Sequence, residues 1–127
     1  MAISIVNIPS PANEIVYTST AMGSTVEGIK ASSAKVFSII IDNSANGGAA
    51  TYVKLFNLAS GSVVLGTTVP DEVIYVPAGV VVTHVLYTGA GLGKTFGTAL
   101  SAAAVTTGGT AGVTAPSSST VVTINFV

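Results

Sequence analysis

The chain has 127 residues, the length of one domain, and is long enough for a real core. Only 7% of its residues are charged, against roughly 25% in typical soluble domains. It has no Arg and no Cys, and its formal charge is -1, so it shows neither the footprint of a phosphate-backbone binder nor any basis for disulfide or thiolate chemistry. Mean hydropathy is high, yet no apolar run reaches the roughly 18 residues of a membrane-spanning helix. A domain with so little charge keeps apolar surface for an interface, so an oligomer or a larger assembly is expected.

Met1–Asn13, "MAISIVNIPSPAN", is uncharged, and its prolines oppose helix. It lacks the basic start and long apolar run of a signal peptide. Fully extended it would span roughly 40 Å at about 3.3 Å per residue. It is expected to be an arm preceding a single β-sandwich domain over residues 14–127.

From there the pattern is nearly all strand. Runs of Val, Ile, Thr, Tyr and Phe alternate with Gly, Pro, Asn and Ser. Strands are expected at Glu14–Thr20, Ser24–Ala31, Lys35–Asp42, Thr51–Asn57, Ser62–Thr67, Glu72–Val76, Val80–Tyr87, Thr98–Thr106 and Thr120–Val127. "NSANGG" (Asn43–Gly48) supplies turn residues between two of them, and "ASG" (Ala59–Gly61) suggests a short hairpin. Pro70 and Pro77 bracket one strand, which predicts edge or corner placement. In Thr51–Asn57, Thr51, Val53 and Leu55 share one face, opposite Tyr52, Lys54 and Phe56. "VFSIII" (Val36–Ile41) is apolar on both faces, as under a partner or in a sandwich core. "TALSAAAV" (Thr98–Val105) has alanines that favour helix, but it is short, uncapped and runs into Thr-Thr-Gly-Gly, so strand is the better reading. The sum is an all-β, antiparallel β-sandwich, jelly-roll-like in strand number, with an extended N-terminal arm.

Thr88–Gly97, "TGAGLGKTFG", imitates a phosphate-binding loop. The motif needs Gly, four residues, then Gly-Lys-Ser/Thr. The first position falls on Thr88, and Gly89 is one residue too close. A helix should follow, to hold phosphate at its N-terminus, but Gly97 interrupts any first turn. The reading is a glycine-rich connection with Lys94 solvated or at an interface.

Other chemistry is equally thin. His84 is the lone histidine, on one strand face with Val80, Val82 and Leu86. It has no metal-ligand company at useful spacing, and no nucleophile-elbow "GxSxG" occurs. A polar contact at a strand or subunit boundary is expected for it. Asp71 and Glu72 are adjacent, so on a strand they point apart. Asp42, Asn43 and Asn46 could offer oxygens to calcium, but they fit no EF-hand loop and read as a turn. The aromatics lack the basic interleaving of a nucleic-acid stacking platform. No catalytic, cofactor-binding or metal residue is assigned, and the chain is expected not to be an enzyme.

"VFSIIIDNSANGGAATYVKLFN" (Val36–Asn57), "VVLGTTVPDEVIYVPAG" (Val63–Gly79) and "TFGTALSAAAVTT" (Thr95–Thr107) occur in that order. Across Val36–Thr107 this series resembles small structural proteins in the virions of tailed bacteriophages, including cyanophages. The resemblance implies a non-enzymatic capsid decoration, or cement, protein. It would bind the major capsid protein on the outer capsid surface as a homotrimer, after assembly in the host cytoplasm, without cofactor, nucleic acid or membrane. A tail, neck or fibre module and a carbohydrate-binding attachment module are the alternatives.

Overall fold

The β-branched runs do form strands. A computed structural model describes residues 14–89 and 91–127; the expected arm lies outside them. The strands are β1 (Ile15–Met22), β2 (Glu27–Lys30), β3 (Ala34–Asp42), β4 (Thr51–Phe56), β5 (Glu72–Val76), β6 (Val81–Val85), β7 (Tyr87–Thr88), β8 (Gly91–Leu92), β9 (Lys94–Phe96), β10 (Leu100–Val105) and β11 (Thr120–Phe126). The alanines of β10 do not make a helix: the strand is buried along its whole length between β2 and β4, and tertiary packing overrides its propensity.

Two antiparallel sheets pack face to face. One has the order β1-β11-β3-β6, with β9 pairing to β3 where β6 has ended; the other has the order β2-β10-β4-β5. Partners nest: β1 with β11, β2 with β10, β3 with β6, and β4 with β5. The core between the sheets holds Val36, Ile39 and Ile41 of β3, Val53 and Leu55 of β4, Ala102 and Ala104 of β10, and Val122 and Ile124 of β11. The strand bracketed by Pro70 and Pro77 is β5, at a sheet edge as expected.

The expected strand Ser62–Thr67 is not one. The segment opens with a 3-10 turn at Ser60–Ser62, and the Val64 carbonyl then accepts from the amides of Thr67 and Thr68 at 3.0 and 2.8 Å. Local turn bonds therefore use the backbone groups that a sheet would need. The expected Ala59–Gly61 hairpin is lost with it. The expected strand Val80–Tyr87 is likewise broken: β6 ends at Val85, Leu86 turns into the core, and Tyr87 begins a separate hairpin.

Three connections cross from one sheet to the other at a single place. They are β3 to β4, β5 to β6, and β10 to β11. A buried pair of asparagines joins them. Asn43 Nδ2 donates to the carbonyls of Ala49 (3.2 Å) and Pro77 (3.1 Å). Its Oδ1 accepts from Thr51 Oγ1 at 2.7 Å and Asn46 Nδ2 at 2.9 Å. Asn46 Nδ2 also reaches the Ser118 carbonyl and Thr120 Oγ1, each at 3.2 Å, and its Oδ1 accepts from the Ser118 amide at 2.9 Å. The side-chain oxygens that might have offered themselves to a cation are thus turned inward and used. Asp42 serves the same turn from outside: its Oδ1 accepts from the Ser44 amide at 2.9 Å, and the Ser44 hydroxyl, with that amide second, holds its carboxyl below the usual carboxylate range.

The second sheet is also covered on its outer side. Lys54 and Phe56 point away from the core, yet both are fully buried. The chain from β10 to β11 lies over Lys54. Lys54 Nζ donates to the carbonyls of Gly112 (2.8 Å) and Thr110 (3.2 Å). Gly112 must be glycine, since an added Cβ would meet the Thr107 carbonyl oxygen at 2.1 Å. Gly108 lies against the Tyr52 ring, and Tyr52 packs on Tyr75 with centroids 5.3 Å apart.

Two expectations follow. Asn43→Ala strands several buried donors and acceptors at once and should lower unfolding free energy by about 3 kcal/mol in urea titration; an unchanged midpoint would contradict the role given to the asparagine pair. Burial pushes the Lys54 ammonium below its ordinary value of 10.5. The unfolded chain then holds the proton more tightly, so this group's contribution rises as pH climbs from the lowered value toward 10.5. Lys54→Met should remove that slope, measured as the difference between the two proteins' urea midpoints across alkaline pH.

Candidate functional site

A sandwich has two open sides, where edge strands of opposite sheets face each other. Here β1 and β2 flank one side, and β5 and β6 the other. Both sides carry polar groups that the core cannot accept unpaired.

On the β1/β2 side the groups are consumed. Tyr17 Oη donates to Glu27 Oε1 at 2.6 Å, and Ser19 Oγ donates to Glu27 Oε2 at 2.8 Å. Both carboxylate oxygens are engaged, which leaves a closed seam. The Glu27 carboxylate, by accepting the phenolic proton, pushes Tyr17 up to about 12, with burial adding to the effect.

The β5/β6 side is open. A cleft of about 260 Å³ is lined by Glu72 of β5, His84 and Val85 of β6, Leu86, Tyr87 of β7 and Lys94 of β9. Lys94, expected to be solvated or at an interface, is partly exposed and held in place within the chain. Its Nζ donates to Glu72 Oε2 at 2.8 Å and to the Asp71 carbonyl at 2.5 Å, and stands 5.7 Å from the centroid of the Phe96 ring. Glu72 shares the inward face of β5 with Ile74 and Val76, while Asp71 turns to accept from the Asn57 amide at 2.7 Å. The two adjacent acids do point to separate tasks. His84 lies on the inward side of β6, half-buried, opposite Ile39. The polar contact expected for it is not made by any described residue.

"TGAGLGKTFG" contributes Lys94 to this cleft, and Tyr87 immediately precedes it. Tyr87–Thr88 and Gly91–Leu92 form a two-stranded hairpin, and the chain then enters strand β9, not a helix. Gly93 makes the join. Its φ is +98°, its amide donates to the Leu86 carbonyl at 2.7 Å, and a Cβ there would meet Lys35 Cε at 2.7 Å. The glycines serve a hairpin and a sharp bend, and that bend swings Lys94 to Glu72. Sequence reading missed the pairing because the two residues lie 22 apart with no periodic relation. Its one visible trace is the glycine beside the lysine.

No protein-family model matches the chain, and no curated protein matches it either.

The closed seam generates a pH expectation. Tyr17 has its folded pKa raised above the ordinary 10.0, so its stabilisation is complete below pH 10 and is lost as pH rises toward about 12. Tyr17→Phe should be less stable than the parent at neutral pH. The gap should narrow above pH 10, as read from thermal midpoints on a pH series; a constant gap would contradict the assignment.

Proposed function

We propose that this protein is a non-enzymatic virion structural protein, a capsid decoration or cement protein that binds the major capsid protein on the outer shell as a homotrimer. The resemblance over Val36–Thr107 suggests the class, and the nested strand pairing, which we read as a jelly roll, suits it.

The observation that carries the reading is the outer face of the sheet β1-β11-β3-β6. Cross-strand register places Val16, Thr18, Val121, Thr123, Asn125, Ser38, Ile40, Asp42, Val81, Thr83 and Val85 on it. Of these positions only Asp42, at one end, is charged. Ile40, at the centre, is 39% exposed, and Val16, Val81 and Val85 are exposed around it. Two polar pairs lie flat along the face, Asn125 Nδ2 to Ser38 Oγ at 3.0 Å and Thr18 with Thr123 at 3.4 Å between their hydroxyl oxygens. A β surface so poor in charge suits a partner that is met many times by symmetry. Each copy contributes modest apolar burial, at roughly 25 cal/mol per Å² before association costs. A protein that binds assembled lattice and not free subunits stabilises the shell by mass action.

The test is occupancy on purified shells of the virus that encodes the chain, with density located by electron microscopy. Ile40→Asp should cut occupancy at least tenfold, since an unpaired carboxylate would have to be desolvated, while its circular dichroism and Tm stay near the parent's. Undiminished binding, or density confined to a tail or vertex, would overturn the reading. A monomeric native mass at high concentration would remove the trimer from it.

A further inference from the structure

The cleft on the β5/β6 side has the chemistry of a binding site, and nothing in the proposed decoration role uses it. We infer that it holds one ring of a neutral saccharide, stacked on Tyr87 and hydrogen-bonded by Glu72, Lys94 and His84. This rests on the cleft alone and stands whether or not the chain decorates a capsid.

Three features lead there. First, the cleft has an aromatic wall that the fold does not need. Tyr87 is 73% exposed on the β7–β8 hairpin, and no hydrogen bond joins its side chain to another described residue. An exposed tyrosine presents a flat apolar face and a polar rim, which suits the C–H face of a sugar ring. Second, the polar groups are held in advance but not exhausted. Lys94 Nζ has three protons and spends two, on Glu72 Oε2 and the Asp71 carbonyl. Glu72 Oε1 accepts from no described residue, and the His84 ring nitrogens are likewise without a described partner. A carboxylate oxygen and an ammonium proton side by side form an acceptor and donor pair, which matches two neighbouring hydroxyls. Holding the pair in place before binding avoids the entropy cost of ordering two long side chains. Third, size and charge select the class. About 260 Å³ is just under the roughly 300 Å³ where drug-sized pockets begin, a size that matches one small ring. The Glu72–Lys94 pair is neutral in sum. It therefore offers an isolated anion or cation no net attraction, while a polyhydroxylated neutral ring can use both partners. The opposite side of the sandwich is the internal contrast: its carboxylate, Glu27, has both oxygens consumed by Tyr17 and Ser19.

The test is a titration of the ¹⁵N-labelled full chain with the methyl glycosides of glucose, galactose, mannose and xylose, followed by amide shifts. A single-ring site of this kind should bind at least one of them with Kd on the order of 1 mM. Shifts should gather at Glu72, His84, Tyr87 and Lys94. Tyr87→Ala should weaken binding at least tenfold and Tyr87→Phe much less, because the ring face carries the contact. Tyr75→Ala removes another exposed tyrosine, on β5, and should leave affinity unchanged. Sodium phosphate and sodium sulfate at matched ionic strength serve as anion probes. The inference is overturned if none of the four glycosides shifts the cleft, if Tyr75→Ala weakens binding as much as Tyr87→Ala, or if the anions shift the cleft and the glycosides do not.

Discussion

Asn43 and Asn46 set the constraint on which the rest of the structure depends. A two-sheet sandwich is held by its core, but its register is held where the chain changes sheets. Here three such crossings meet on one pair of buried amides. An amide suits this task because it carries donors and an acceptor on one rigid plane and is uncharged, so burial costs little once every atom is paired. With the crossings fixed, β3 and β4 face each other in register, and Ile39, Ile41, Val53 and Leu55 fall into the core together.

Lys54 makes a second, less economical fixture. A buried ammonium with only backbone carbonyls for partners is costly to desolvate. It nonetheless fixes two carbonyls of the long segment between β10 and β11, and Gly108 and Gly112 let that segment approach closely. The result affects the surface as well as the interior. Of the four lysines in the chain, Lys54 is buried and Lys94 is held by Glu72. A protein already poor in charge thereby shows less of it to solvent. One sheet is roofed by its own chain, and the other presents a bare face with little charge. That asymmetry is what makes the bare face the natural seat of the proposed decoration contact.

The cleft and the face adjoin at Val85, which belongs to both. The face is the outer surface of one sheet; the cleft opens at the seam between sheets, beside the β7–β8 hairpin. The hairpin exists because Gly93 lets the chain bend at positive φ, and the same bend delivers Lys94 to Glu72. One glycine thus sets both the rim and the polar floor of the cleft.

By itself, the sequence determined the class of architecture. Alternating Val, Ile and Thr with Gly, Pro and Asn breaks can only be satisfied by short antiparallel strands, and the inward faces of Thr51–Leu55 and Val122–Phe126 were legible from period two. It also exposed the phosphate-loop likeness of Thr88–Gly97 as one of composition, since spacing and the absence of a helical pattern are local properties. Tertiary structure decided what pairing over distance decides. Ser62–Thr67 has strand composition but no neighbour to pair with, so it curls into turns. Lys54 lies on the polar side of its strand and is buried all the same, because a segment more than fifty residues later folds over it. Glu72 and Lys94 meet only when β9 takes the place beside β3 that β6 has vacated. Local pattern fixes which way a side chain points along its own strand; what it meets there is set by chain that the pattern cannot see.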